Sequence, residues 1–123
     1  MDSLRPSLDF ALILLQITSM TALARLEKWY AGQCNGEWEH NQGVTIESCD
    51  NPGWWIKIAL KGTALENTSF ERVAENVDAD GTQQGPRWVV CHVAGGLWQG
   101  AGDETKLEMI LNIFLSWAES HEK

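Results

Sequence analysis

Two alternating runs either side of a proline–glycine pair restrict this chain more than any other feature. In "GVTIESC", Gly43 to Cys49, Val44 and Ile46 fall on one side and Thr45 and Glu47 on the other. In "WWIKIAL", Trp54 to Leu60, Ile56, Ile58 and Leu60 oppose Lys57 and Ala59. A period of two places alternate side chains on opposite faces of a strand. The intervening "DNPG" offers Pro to fix φ and Gly to take φ > 0, a type II turn signal. The stretch is therefore a β-hairpin. Its register follows from face matching, because a one-residue slip would turn every apolar side chain to the wrong side. A loop of four residues, Asp50 to Gly53, would set Ile46 against Lys57. A loop of odd length repairs this, and the residue before proline avoids the α region, which favours five residues, Asp50 to Trp54. Ile46 then pairs with Ile58, Val44 with Leu60, and Glu47 with Lys57, a facing charge pair worth a few tenths of a kcal/mol up to ~1 kcal/mol.

A second hairpin follows from "RWVVCHVAGGLWQG". A β-branched run ends at Gly95-Gly96, which suits a two-residue turn. Val93 then faces Trp98 and Cys91 faces Gly100, while Trp88, Val90 and His92 take the other side.

Helices bracket the hairpins. Over 21–33, Ala22, Leu26, Trp29 and Tyr30 form one apolar stripe, ended by Gly32 and Asn35-Gly36. In "AGDETKLEMILNIFLSWAES", Asp103 is the natural N-cap and Glu104 suits the positive end of the dipole. The stripe there is Leu107, Ile110, Leu111, Phe114, Trp117 and Ala118. "KGTALENTSF" connects; 70–77 reads either as a helical turn or as an edge strand, and the polar 78–86 as a loop. The order predicts an α+β fold: an antiparallel sheet of four or five strands built from two hairpins, flanked on one face by the N-terminal and C-terminal helices. The other face meets water, a partner or residues 1–19, and carries Trp55 and Trp88.

With 123 residues the chain is one domain. Residues 20–123 are assigned to it, and residues 1–19 to an N-terminal extension. The extension's apolar run, Leu8 to Ile17, is too short to span a bilayer. "TALA" has the shape of a signal-peptide cleavage site, but Asp2 and Asp9 against Arg5 is a poor positive leader. Met20 offers a second start. Cys34, Cys49 and Cys91 are scattered and lack C-x-x-C spacing, which fits reduced thiols in the cytoplasm rather than a disulfide framework or a zinc knuckle. His40, His92 and His121 show no metal-ligand spacing. No metal or cofactor is expected.

Seventeen acidic against nine basic side chains give a net charge of −8. Such a field disfavours nucleic acid and anionic membranes and favours a basic partner. Seven tryptophans beside one tyrosine and three phenylalanines add a residue type enriched at binding hot spots.

Catalysis finds little footing. Glu37 and Glu39 flank Trp38 as a carboxylate pair, but nothing nearby raises one pKa. Cys91 and His92 are adjacent and point to opposite faces of a strand. Cys34 becomes a nucleophile only if His40 folds back on it. The glycines before the last helix lead into Asp103 and Glu104, which repel phosphate, and no P-loop lysine follows.

The segment "RLEKWYAGQCNGEWEHNQGVTIESCDNPGWWIKI" resembles the opening of the immunity protein 53 family of bacterial polymorphic toxin systems. The matching pattern is Trp29-Tyr30, Cys34, Gly36, Trp38-Glu39, Gly43, Ile46 and Asp50-Asn51-Pro52-Gly53-Trp54. "WVVCHVAGGLWQGAGDETKLEMILNIFLSWA" is similar to the family's end. The resemblance covers roughly 20–119. It implies a small cytoplasmic protein without catalysis that neutralises a cognate toxin domain by stoichiometric binding. With the charge, the expected partner is basic, and the candidate contact residues are Glu37, Trp38, Glu39, Trp55 and Trp88. The alternatives are a small enzyme using Cys34 or Glu39, and an interaction module unrelated to toxins.

Overall fold

Thr21 opens the first helix: its hydroxyl accepts a hydrogen bond from the Ala24 backbone N–H at 3.1 Å, capping α1, Ala22–Gln33. In the computed structural model, which describes residues 20–122, the chain then makes the short α2, Trp38–Asn41. Strands β1, Val44–Cys49, and β2, Gly53–Ala59, follow. Next come β3, Val73–Glu75, β4, Val89–Ala94, and β5, Leu97–Gly102. The last element is α3, Leu107–Glu119. The expectations for the extension, residues 1–19, lie outside the described residues.

The five strands form one antiparallel sheet in the order β1-β2-β5-β4-β3. Both hairpins are present and β2 pairs with β5, so the expected α+β architecture holds. The second hairpin has the expected register, Val93 opposite Trp98 and Cys91 opposite Gly100. Gly95 and Gly96 carry φ of 61° and 78°, values that glycine adopts at no steric cost.

The first hairpin differs from the expected register by two residues. Ile46 pairs with Ile56 rather than Ile58, Val44 with Ile58, and Glu47 with Trp55. The loop is Asp50 to Pro52, and its Asn51–Pro52 peptide is cis. Parity was set by face matching, and it holds. Loop length was not, because Gly53 is not the positive-φ residue of a type II turn. It is extended and begins β2. A Cβ there would overlap the Gly102 carbonyl oxygen, so the glycine serves a close approach of two strands. Glu47 and Lys57 still meet, diagonally across the ladder, with Nζ to Oε1 at 3.7 Å.

Ile56, Ile58, Trp98, Val89 and Cys91 project from one face into a core shared with Leu26 and Trp29 of α1 and Ile110, Leu111, Phe114 and Leu115 of α3. Trp98 is fully buried and meets Phe114 and Phe70 edge-on, centroids 5.2 and 5.8 Å apart. Gly100 makes room for it. The helices are clasped by Arg25, whose Nε and Nη2 donate to the two Glu119 oxygens at 2.9 and 2.7 Å. Its Nη1 donates to Asn112 at 2.8 Å.

One boundary is corrected, and one segment left open by the sequence is settled. Helix α3 begins at Leu107, not after Asp103. The Asp103 carboxylate accepts instead from the Thr105 N–H and hydroxyl, closing a lead-in turn. Segment 70–77 resolves as an edge strand, three residues of it paired with β4.

Candidate functional site

The corner between α1 and β1 is built around Trp38. Gly36, at φ 92°, turns the chain back after α1. The Asn35 side-chain oxygen accepts from the N–H groups of Glu37 and Trp38, both at 2.9 Å. Glu39 reaches back to accept from the N–H groups of Asn35 at 3.0 Å and Gly36 at 2.8 Å. Reciprocal bonding of this kind closes the turn into α2 and satisfies the Trp38 N–H at its start. Backbone N–H groups, its own first and then those of Asn35 and Gly36, hold the Glu39 carboxyl below its ordinary range against a desolvation penalty.

With α2 fixed, Trp38 turns inward. It is 6% exposed, packs edge-on against Trp29 and Tyr30, and donates its indole N–H to the Lys61 carbonyl at 2.8 Å. Of the three corner candidates, Glu37 is exposed, Glu39 is committed to the turn and Trp38 is interior. The Cys34 thiol, also exposed, is directed at the Tyr30 carbonyl, 3.4 Å away.

Trp55 and Trp88 lie by strand alternation on the sheet face turned away from the helices. One row across it runs Glu47, Trp55, Ala101, Val90 and Ala74. Trp55 is 39% exposed. The Lys57 ammonium stands 4.1 Å from its ring centroid while also facing Glu47, so cation and carboxylate together hold the indole in place. Trp88 is buried, its ring 3.5 Å from where a Cβ on Gly53 would stand. The candidates thus divide: Trp38 belongs to the helix-side core, Trp55 and Trp88 to the opposite face, and the corner and the sheet face are separate patches.

A third surface was missed in the sequence. Val44 and Ile46 point to the helix side, but β1 is the outermost strand and α1 does not cover it fully. Ile46 is 37% exposed, Tyr30 38% and Leu23 60%. Tyr30 and Ile46 were expected inside. A cleft of about 390 Å³ opens there, lined by Leu23, Leu26, Glu27, Tyr30, Gln42 and Val44. Periodicity marked these side chains as apolar, but the sequence carried no signal that this strand would be an edge. A second, more open groove of about 720 Å³ separates Phe70 and Val73 from Met109 and Ile113 of α3.

Burial pushes the Cys91 thiol up to about 12, which keeps it protonated and inert at neutral pH. Among the described residues no three His, Cys, Asp or Glu side chains gather as a metal site would require, and no helix is long and apolar enough to cross a membrane.

The family model described as immunity protein 53 matches residues 23–119, which runs from the second residue of α1 to the end of α3 and takes in all five strands. Comparison with curated proteins and with solved structures gives no match.

Proposed function

The chain belongs to the immunity protein 53 family, and from that premise we propose that it neutralises a cognate bacterial toxin domain by binding it one to one in the cytoplasm, without turnover. The family match carries this reading. The net charge of −8 supports a basic toxin domain, because complementary charge speeds encounter and selects the partner. Trp55 supports a contact on the sheet face: it is a large, partly exposed aromatic already fixed by Lys57, so little ordering remains to be done on binding. Glu37 is proposed as an acidic rim residue. Trp38, Glu39 and Trp88 are proposed to shape the contact surface from beneath.

The enzyme alternative requires Glu39 as a free acid–base group or Cys34 beside a base. Both Glu39 oxygens accept backbone N–H groups and the Cys34 thiol faces a carbonyl, an arrangement that favours binding over catalysis.

The test is binding kinetics against the toxin domain encoded directly upstream of this gene. Trp55→Ala is expected to cost ~2 kcal/mol or more of affinity with the fold intact. Glu37→Lys is expected to slow association, with an effect that fades as salt rises. A wild-type chain that does not bind that domain sinks the reading.

A further inference from the structure

Among the described residues the outer edge of β1 is open. The Gly43 carbonyl accepts from the Ala59 N–H at 3.0 Å. In an antiparallel ladder the bonded pairs alternate. Thr45 and Glu47 therefore spend their main-chain groups on β2, and Val44, Ile46 and Ser48 direct theirs outward. Among the described residues no strand pairs on that side. Edges are normally blunted by shortness, proline or a bulge. The opposite edge, β3, has only three residues. Strand β1 has six in unbroken register, with no proline. It carries Ile46, and Leu23 and Tyr30 lie beside it, three of the five exposed large apolar side chains among the described residues.

We propose that the toxin docks by strand addition to β1, through an extended segment that alternates apolar and basic side chains. This rests on the toxin-binding reading and gives it a place and a mode. An added strand lies about 4.8 Å outside β1. On one side its side chains continue the Val44–Ile46 row into the cleft of Leu23 and Tyr30, where apolar groups are wanted. On the other they continue the Thr45–Glu47 row, where Glu47, paired with Lys57 on its inner side yet half exposed, offers its outer side to basic groups. Glu27 on the cleft wall adds a second carboxylate. The main-chain ladder supplies affinity and the alternating side chains specificity. A second copy of this chain fits poorly. Its own β1, "VTIESC", brings another Glu47 and no basic residue.

Amide hydrogen exchange on the full chain, alone and saturated with the upstream-encoded toxin domain, tests this. Binding is expected to protect the amides of Val44, Ile46 and Ser48. Ile46→Pro removes one outward N–H and leaves the β1–β2 ladder untouched, a position where an edge strand tolerates proline. It is expected to weaken binding about 30-fold or more, as is Leu23→Asp in the cleft. A complex that forms while these three amides exchange as in the free chain overturns strand addition and leaves toxin binding standing. That measurement needs no variant, so it decides even if Ile46→Pro fails to fold. Protection in the free chain that grows with its own concentration assigns the edge to a second copy and also overturns the proposal. Failure of the wild type to bind overturns both readings together.

Discussion

Trp38→Ala separates a core tryptophan from an interface one. A buried tryptophan removes roughly 200 Å² from water, worth ~5 kcal/mol at 25 cal/mol per Å². Compactness of the unfolded chain lowers that to ~3–4 kcal/mol. Trp38 is 6% exposed, so nearly the whole amount applies. Its neighbours cannot easily collapse into the space. Trp29 is itself wedged edge-on against Phe114 with centroids 5.0 Å apart. Gly62, at φ 81°, sits where a Cβ would be 3.2 Å from the Trp38 ring, so that wall is backbone. The indole N–H to the Lys61 carbonyl adds ~1 kcal/mol. The expected loss for Trp38→Ala is thus ~4 kcal/mol, a large part of what a domain of this size possesses.

Trp38→Phe keeps most of the ring and loses the donor, and is expected to cost ~1–2 kcal/mol. Urea unfolding followed by far-UV circular dichroism measures both. Trp38→Phe should bind the toxin domain as the wild type does under conditions where both are folded. A Trp38→Ala loss below ~1.5 kcal/mol together with abolished binding would refute the reasoning and make Trp38 a contact anchor.

Gly100→Ala places a Cβ 2.5 Å from the Ile110 methyl and 2.8 Å from the Trp98 ring; thermal unfolding should report a destabilisation of ~1–3 kcal/mol. Glu39, with a folded pKa below its ordinary 4.5, contributes stability that is complete above that value and lost as pH falls through the lower folded one. Urea midpoints over a pH series should show Glu39→Gln weaker than wild type at neutral pH, with the gap closing in acid; a constant gap would show that the carboxylate charge is not what holds the corner. A chain lacking residues 1–19 should stay folded and monodisperse by gel filtration, since among the described residues side chains from Ala22 to Ala118 already assemble one hydrophobic cluster on the sheet; aggregation or a large fall in Tm would place Leu12 to Ile17 in the core.

The two hairpins show what a pattern can and cannot convey. In the second, Gly95-Gly96 leaves one economical turn, and turn length fixes register. In the first, alternation fixes only parity, so registers two residues apart fit it equally. The deciding contact is between Gly53 and the Gly102 carbonyl, residues 49 positions apart. No local rule connects them. The start of α3 was misread for a related reason. Asp103 has the chemistry of a helix cap, but the same side chain serves equally well in the turn closed with Thr105. Only the path of β5 into that turn selects between them.

The tryptophans mark the limit for the site. Seven looked like more than a small core needs, and that surplus pointed to an interface. The fold absorbs most of it. Trp29, Trp38 and Trp98 are core, and Trp88 is buried. Trp54 and Trp117 are half-buried, their indoles donating to the carbonyls of Glu104 and Ser69. Trp55 alone is substantially exposed. Composition could not make this distinction, because a tryptophan that anchors a partner and one that closes a core bury the same ring for the same reason. Exposure at a sheet edge is a property of strand order. Strand order depends on pairings such as β2 with β5, which join segments far apart in sequence. Charge behaves differently: acidic side chains stay near solvent wherever the chain folds, so an excess of them remains a surface property. The sign of the protein's own surface charge was therefore legible in the sequence, whereas the exposure of Trp55 and of the β1 edge is a property of the assembled sheet.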